Sequence, residues 1–361
     1  MSGQEIRRIY RTAKDEDLPL SLKLMIGDRV LEYLKVQWKV EGRMRGLRYG
    51  TNPHQRGALY RPKQSKGGIG NVNWVKWGKD GPSATNIEDG SHGLRIVSYF
   101  KEPTVAVMKH LNPSGVSVSV GQESLSHVYT RARDADDRAA FGSVVVFNSP
   151  VDRKTAEEVM KTFIEVVYAP GYGSDAIGVF ESKKDIRVGE VPTIHKEDTG
   201  MPPDVVVLDD GSLIVEDPYR TSILSLEDMK RLPVATKKKP SDQEHLDLLH
   251  AWWIACEVRS NAVVFWKNGT SLAIGTGQQD RIGTIENSIN KTHKLGHSLE
   301  GSVMASDGFL PKLDNVEALA KEKVSAIVQP GGSVEDQAII KACDEHGITM
   351  VLTGERSFRH F

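Results

Sequence analysis

The chain has 361 residues, of which 39% are apolar, 26% are charged and 7% are aromatic. A chain of this length predicts about two domains with a sizeable core, which excludes a disordered protein and a small disulfide scaffold. Because 47 basic residues balance 48 acidic ones, the charge argues against a duplex-binding protein, which usually carries a basic surplus.

The N-terminal residues 1–46 are rich in charge, and we predict a helical extension there. They contain no apolar segment typical of a signal peptide, and no apolar run in the chain approaches the roughly 18 residues of a membrane span. The only two cysteines, Cys256 and Cys343, exclude a cysteine-rich zinc site and favour a reducing compartment. We therefore expect a cytoplasmic globular protein that binds neither nucleic acid nor membrane.

The first half of the chain alternates predicted strands and helices. The apolar run Thr104–Met108 ends in Lys109 and His110, and we predict a loop over 111–115 before a helix at Ser124–Arg133. A further strand is predicted at Val144–Phe147. The apolar residues between 156 and 167 then recur at helical spacing, so we predict a helix that ends at the proline and glycine of 169–171.

A connector over 183–240, rich in proline, separates the two halves and is predicted to hold a short strand pair, 204–208 with 213–215. The second half begins with a predicted helix at 244–259 and an apolar run at 262–266. Lys267-Asn268-Gly269 is a hairpin signal. The last unit, over 324–352, is predicted to be a strand, a helix and a second strand. Alternating strands and helices predict an α/β fold, and no repeat of fixed period is visible.

Lys109 and His110 bring two proton carriers to the end of a predicted strand, where ligands of α/β proteins often bind. The alternative is a surface lysine beside a buried structural histidine. Arg48 can bind a phosphate or carboxylate through two hydrogen bonds, or lie in a capped surface turn. Asn261 can pair with both donors and acceptors of a heterocycle, or cap a helix.

Three other segments point less directly to a ligand. The glycine-rich stretch 275–281 lacks the spacing of a dinucleotide or P-loop motif, although its N–H groups and Arg281 can meet an anion. His195-Lys196-Glu197 fits half of a zinc deaminase signature, but the cysteine pair of that signature is absent. The basic, aromatic tail with Phe358 and Phe361 indicates docking rather than a frayed terminus.

Nine segments, in chain order, resemble the AICAR transformylase domain of the bifunctional AICAR transformylase/IMP cyclohydrolase family of purine biosynthesis. They are LRYGTNPHQ (47–55), KHLNPSG (109–115), FGSVVVFNSPVD (141–152), APGY (169–172), SNAVVFWKNG (260–269), GTGQQDRIG (275–283), SDGFLPKLDN (306–315), QPGGS (329–333) and TGERSFRHF (353–361). The resemblance implies an α/β fold of two zinc-free, cytidine-deaminase-like subdomains, over 47–215 and 216–361. It also implies a homodimer with active sites at the subunit interface.

The implied reaction transfers a formyl group from 10-formyltetrahydrofolate to the 5-amino group of AICAR. This gives FAICAR and tetrahydrofolate, and the resemblance leaves open whether a monovalent cation is bound. Matching positions imply the catalytic residues Lys109, His110 and Asn261. The positions implied for AICAR are Arg48, Tyr49, Gly142, Glu165, Arg356, Phe358 and His360. Those implied for the folate are Arg281, Ile282, Phe309, Asp314 and Asn315.

The chain departs from the family pattern in several places. The N-terminal cyclohydrolase domain has no counterpart, so we expect no ring closure to IMP. Ser114, Arg259 and Gly308 differ from the usual residues, and Lys312 replaces a usual phenylalanine, which puts one folate contact in doubt. Two alternatives stay open: a binding paralogue without catalysis, and an AICAR formylase that uses another one-carbon donor, such as formate with ATP.

Overall fold

The computed structural model describes residues 17–191 and 203–361, which contain a mixed sheet of 11 strands with helices on both faces. The predicted α/β class is therefore confirmed. The strands are β1 (Ser21–Ile26), β2 (Arg29–Lys35), β3 (Trp38–Val40), β4 (Arg43–Arg45), β5 (Tyr60–Pro62), β6 (Asn73–Lys76), β7 (Thr104–Lys109), β8 (Asn112–Val118), β9 (Ser143–Phe147), β10 (Ile164–Ala169), β11 (Arg187–Glu190), β12 (Asp204–Val207), β13 (Leu213–Glu216), β14 (Val263–Lys267), β15 (Thr270–Gly275), β16 (Val303–Ser306), β17 (Ala326–Gln329) and β18 (Thr349–Leu352). The helices are α1 (Ala84–Val97), α2 (Leu125–Asp134), α3 (Asp137–Ala140), α4 (Arg153–Val159), α5 (Ser174–Glu181), α6 (Leu226–Arg231), α7 (Asp242–Ala255), α8 (Arg281–Lys294), α9 (Leu313–Lys321) and α10 (Asp336–His346), with a 3-10 turn at Ile69–Asn71.

The two halves of the large sheet have the same strand order. The full order is β18-β17-β16-β14-β15-β8-β7-β9-β10-β11-β6. In each half a hairpin, β7–β8 or β14–β15, is followed by three parallel strands, and α1 or α7 precedes the hairpin. The halves meet where β8 pairs antiparallel with β15. The chain therefore repeats an arrangement of elements that its sequence does not show as a repeat of fixed period.

The core follows from alternation along fully buried strands. Ala106 and Met108 face a cluster that includes α1 and α7 and spans both halves. Val105 and Val107 face the opposite layer, where α2, α4 and α5 cover the first half. A separate cluster under α8, α9 and α10 covers the second half. Side chains two residues apart point to the same face of a strand, so one apolar run serves two helical layers.

The predicted helical extension is wrong over its described part, because residues 17–46 form β1 to β4. Apolar and charged residues alternate through Leu22, Lys23 and Leu24, which is the period of a strand. Lys23 pairs across the hairpin with Glu32, with Nζ and Oε1 3.1 Å apart. This cross-strand ion pair uses charges that the sequence analysis assigned to a helix. Residues 1–16 of the extension lie outside the described residues.

Two further predictions in the first half are wrong. The helix predicted through residue 167 ends at Val159, and β10 begins at Ile164 because this β-branched run pairs in parallel with β9. The loop predicted over 111–115 is instead the start of β8, and only His110 and Leu111 form the turn. Pro113 fits into β8 beside a register shift between Val107 and Met108. The predicted helix near 124–133, the strand pair at 204–215 and the hairpin at 267–269 are confirmed.

Candidate active site

The residues predicted for the site come from elements that meet at one edge of the large sheet, which we call the turn edge. Here β7, β15, β16 and β18 end, and β9, β10, β11 and β14 begin, because of the pairing directions of these strands. Lys109 thus lies at the carboxyl end of its strand, as predicted, but the parallel strands beside it contribute their amino ends. The site is therefore formed by the carboxyl ends of some strands and the amino ends of others.

His110 lies in a two-residue hairpin turn that holds it in a restricted backbone conformation. His110 and Leu111 have φ values of 52° and 68°, a left-handed region that favours glycine and asparagine. The Leu111 N–H donates to Asp89 Oδ1 at 2.6 Å, and Asn112 Nδ2 donates to the His110 carbonyl at 3.0 Å. His110 itself is exposed. The backbone is held from two sides, while the imidazole is accessible to a ligand.

Lys109 reaches across the turn edge to the start of β9. Its Nζ donates to the Phe141 carbonyl at 3.0 Å and to the Gly142 carbonyl at 2.7 Å. Gly142 has φ 70°, and a Cβ at this position would lie 3.1 Å from that Nζ. A side chain at position 142 would therefore be strained and would crowd the ammonium. The structure brings the predicted residues Lys109 and Gly142 into direct contact.

Two polar residues behind the turn, the buried Asp89 and the half-buried His92, were not identified from the sequence. Burial raises the pKa of Asp89, while the Leu111 amide and the charges of His110 and Lys109 act in the opposite direction. Burial, together with nearby arginines, lowers the pKa of His92 to about 4. The available signal was two polar residues, three positions apart, which lie on one face of a helix.

Arg48 and Tyr49 lie before the N-terminus of α1, beside an arginine that was also missed. Arg48 Nη2 donates to the Tyr49 hydroxyl at 2.9 Å, and Arg48 Nη1 donates to the Lys79 carbonyl at 3.4 Å. Arg187 Nη2 donates to the same carbonyl at 2.6 Å. Burial, and next the charge of Arg48, lower the pKa of Arg187 to about 10. Two buried guanidiniums that share a carbonyl acceptor form a surrounding suited to an anion.

Glu165 belongs to this same group. Its Oε2 accepts from Asn86 Nδ2 at 2.9 Å, and its backbone carbonyl accepts from Arg187 Nη1 at 3.5 Å. Asn86 also completes the capping box of α1 with Ser83. The cap of this helix therefore fixes the orientation of the predicted nucleotide-binding carboxylate.

The second half places Asn261 and Arg281 around Asp307. Asn261 Nδ2 donates to the Gln278 carbonyl at 2.8 Å, and Ser260 Oγ donates to Asp307 Oδ2 at 2.6 Å. Arg281 forms a buried ion pair with Asp307 and donates to the Ala262 carbonyl at 2.8 Å. Arg281 was expected to offer its charge to an anionic ligand. In the structure its guanidinium is paired with a buried carboxylate and supports the loop after β16.

The remaining residues predicted for the folate lie near that loop and at the start of α9. Phe309 is 43% exposed, and Asp314 is exposed. Asn315 is buried, and its Nδ2 donates to Asp314 Oδ1 at 2.6 Å and to the Lys312 carbonyl at 3.1 Å. Ile282 is half-buried in the first turn of α8. Phe309 and Asp314 are accessible to a ligand, whereas Asn315 orients its neighbour.

The C-terminal tail is docked, as its aromatic residues predicted. Arg359 Nε donates to the Cys256 carbonyl at 2.9 Å, and the Ser357 N–H donates to the Asp307 carbonyl at 3.0 Å. The Arg356 guanidinium lies 4.3 Å from the centre of the Phe358 ring. The ring centres of Phe358 and His360 are 6.0 Å apart. The ring of Phe361 packs edge-on against that of His92 at 4.5 Å, which joins the tail to α1.

Asn112 connects the His110 turn to the second half. Its Oδ1 accepts from the Arg259 N–H at 2.9 Å and from Thr276 Oγ1 at 3.1 Å. Arg259 lies two residues before Asn261. The turn and the Asn261 segment therefore share one side chain, so a shift of either one moves the other.

The structure contains no candidate metal cluster and no membrane span within the described residues. Across residues 17–191 and 203–361, no three His, Cys, Asp or Glu side chains are arranged to hold a metal ion. No helix in these ranges is long and apolar enough to cross a bilayer. The His195-Lys196-Glu197 segment lies outside the described residues.

The comparisons with a family model and with individual proteins agree with each other. A family model described as AICARFT/IMPCHase bienzyme matches residues 11–291. Three similar proteins are each named bifunctional purine biosynthesis protein PurH. The one from Aquifex aeolicus (strain VF5) is 40% identical over 319 residues, 88% of this chain and 60% of that protein. The one from Caldicellulosiruptor saccharolyticus is 37% identical over 342 residues, 94% of this chain and 63% of that protein. The one from Magnetococcus marinus is 35% identical over 384 residues, 100% of this chain and 68% of that protein. The chain thus spans about three fifths of the length of the first two relatives.

Proposed function

The chain belongs to the AICARFT/IMPCHase bienzyme family, and we propose that it is an AICAR formyltransferase. In this proposal, 10-formyltetrahydrofolate donates its formyl group to the 5-amino group of AICAR, which yields FAICAR and tetrahydrofolate. The observation that carries the proposal is the exposed side chain of His110, in a turn of restricted backbone conformation that directly follows Lys109. The two buried, unpaired cysteines agree with a cytoplasmic location.

The chemistry explains why a proton carrier must stand at this point. The AICAR amine is a weak nucleophile because its lone pair is delocalised into the imidazole and its carboxamide. His110 accepts a proton as the amine nitrogen bonds to the formyl carbon, and the bond from that carbon to N10 breaks as N10 gains a proton. Lys109 stabilises the oxyanion or protonates N10, and Asn261 orients the formyl oxygen or the carboxamide. Each proton transfer contributes roughly 10²–10⁴-fold to the rate.

We assign the remaining predicted residues as the sequence resemblance implies. Arg48, Tyr49, Gly142 and Glu165 bind AICAR together with the tail residues Arg356, Phe358 and His360. The folate is bound by Arg281, Ile282, Phe309, Asp314 and Asn315. Support for the nucleotide assignment comes from the pair of buried guanidiniums at Arg48 and Arg187, which suits a phosphate.

We propose that the enzyme acts as a homodimer with its sites at the subunit interface. Glu165 on β10 and Asn261, just before β14, are five strand spacings apart, or about 24 Å at the usual spacing of sheet strands. One nucleotide cannot touch both residues across that separation within a single chain. Two copies of the chain can bring the two groups together.

We also propose that residues 47–215 and 216–361 are two cytidine-deaminase-like subdomains. The support is the shared strand order of the two halves and the equivalent positions of α1 and α7. No zinc is required, because the proposed chemistry moves protons through side chains.

The direct test measures the absorbance of tetrahydrofolate formation from 10-formyltetrahydrofolate, with and without AICAR and without ATP. We expect product only when AICAR is present. Binding of AICAR without product would instead identify a non-catalytic paralogue. A strict requirement for formate and ATP would identify a different donor.

The first variant to test is His110→Ala. We expect kcat to fall by at least 100-fold, because the base is lost, while AICAR binding measured by calorimetry changes little. Asn268→Ala is the matched control, since Asn268 occupies the equivalent place in the β14–β15 turn. Activity of H110A within a few-fold of N268A would remove His110 from the mechanism.

A further inference from the structure

The β7–β8 and β14–β15 hairpins each have an aspartate and a lysine at equivalent positions. Asp247 and Lys267 repeat the spacing of Asp89 and Lys109 along the chain. Lys267 Nζ donates to the Glu300 carbonyl at 2.6 Å, as Lys109 does to the equivalent loop in the first half. Asp247 Oδ2 accepts from the Asn268 N–H in the β14–β15 turn at 3.3 Å. The aspartate and lysine therefore form a support for the turn that is present in both halves.

The two turns differ in how much support they need. Asn268 and Gly269, with φ values of 49° and 77°, are residue types that adopt this conformation readily. His110 and Leu111 adopt the same conformation against their intrinsic preference. Asp89 holds the second residue of its turn, Leu111, at 2.6 Å, whereas the bond from Asp247 to the first residue of its turn, Asn268, is 3.3 Å long. The β7–β8 turn thus depends on its aspartate more than the other turn does.

We propose that Asp89 is the positioning residue for His110: its buried carboxylate holds the Leu111 N–H and so fixes the direction of the imidazole. This inference rests on the proposed function. Asp89 is 7% exposed, so water competes little for its hydrogen bond. Its charge also lies close enough to Lys109 and His110 to interact with both. A hydrogen bond from a peptide N–H to a carboxylate is about twice as strong as one to a neutral acceptor.

The test compares Asp89→Asn and Asp89→Ala with Asp247→Asn and Asp247→Ala. Asparagine keeps the shape and an acceptor but removes the charge, and alanine removes both. We expect kcat to fall about 10-fold in D89N and 100-fold in D89A, with KM for both substrates within threefold of wild type. The Asp247 variants should keep kcat within threefold of wild type, although their melting temperatures should fall like those of the Asp89 variants.

A purely structural role would affect both pairs of variants alike. Equal kcat values for D89N and D247N, at similar melting temperatures, would overturn the proposal. Hydrogen exchange of the peptide containing Leu111 gives a readout that does not need activity, and we expect faster exchange in D89A than in wild type. If the wild-type enzyme forms no tetrahydrofolate, the proposed function fails. Unchanged exchange in D89A would then overturn the positioning role separately.

Discussion

Two histidines occupy equivalent positions in α1 and α7, where His250 is buried and His92 is half-buried. His250 is surrounded by the rings of Phe100, Trp253 and Trp266, with centres 5.1, 5.6 and 5.6 Å away. Burial lowers the pKa of His250 to about 4, as it does for His92. An imidazole in such surroundings resists protonation because the charged form loses its hydration.

The lowered pKa of His250 predicts a loss of stability in mild acid. The unfolded chain binds this proton near pH 6.5 and the folded chain only near pH 4, so stability is complete above pH 6.5 and decreases as the pH falls to 4. The contribution of His250 is about 3 kcal/mol over that window. In His250→Phe, urea unfolding measured from pH 7.5 to 4.5 should show a smaller loss. His127→Gln, at an exposed histidine, is the control, and an equal pH dependence in H250F and wild type would contradict the assignment.

Among individual residues of the site, the sequence analysis identified exposed ones better than buried ones. Lys109 and His110 stood out because a strand ended beside them, and the structure places both at the turn edge. Asp89 and Arg187 were missed because a polar residue in an apolar segment gives no sign of its distant partner. Leu111 and Lys79, which they contact, are 22 and 108 positions away along the chain.

Helices α1 and α7 both begin with a capping box. Ser83 and Ser241 accept from the N–H groups of Asn86 and Glu244, whose side chains in turn accept from the serine N–H. Only the cap of α1 also touches the site, because Asn86 donates to Glu165. The same local motif therefore has a second role in one half.

This difference predicts separate effects for the two cap substitutions. Ser83→Ala and Ser241→Ala should each lower the free energy of unfolding by about 1 kcal/mol, because one N–H loses its acceptor. S83A should also raise KM for AICAR several-fold, since the Asn86 N–H loses the serine hydroxyl and Asn86 then orients Glu165 less firmly. Steady-state kinetics and urea unfolding measure the two effects. An unchanged KM in S83A, at the expected loss of stability, would separate Glu165 from AICAR binding.

Elements whose sequence shows a clear hydrophobic period or a turn signal were predicted well. Elements whose conformation is decided by pairing with another part of the chain were not. The β14–β15 hairpin was predicted because Asn268-Gly269 favours the required turn. The β7–β8 hairpin was missed because His110-Leu111 does not, and its conformation depends on the hydrogen bond to Asp89. Residues 160–169 carry a helical spacing, but pairing between β9 and β10 outweighs it.

On the scale of the molecule, one core joins the two halves. The cluster under α1 and α7 includes side chains from β7 and β9 in the first half and from β14 and β16 in the second. Trp252 is fully buried there, and its Nε1 donates to Thr221 Oγ1 at 2.9 Å. Shared burial of this kind couples the unfolding of both halves.

The shared core predicts that Trp252→Ala destabilises the whole molecule. The free energy of unfolding should fall by about 3–5 kcal/mol, because the substitution leaves a cavity and removes one hydrogen bond to the Thr221 hydroxyl. Circular dichroism and hydrogen exchange in α2 and α8 should report the same urea midpoint. Two separate transitions, one for each half, would show that the halves unfold independently.

Because β8 and β15 run in opposite directions, the two halves are related by a half-turn about an axis through their junction. The opposite edge of the sheet therefore holds a rotated copy of the His110 turn, in which Gly269 lies beside Val118 and Val120. That copy has the same scaffold without the imidazole. The β14–β15 turn is thus a scaffold in the same chain into which the side chains of the β7–β8 turn could be introduced one at a time.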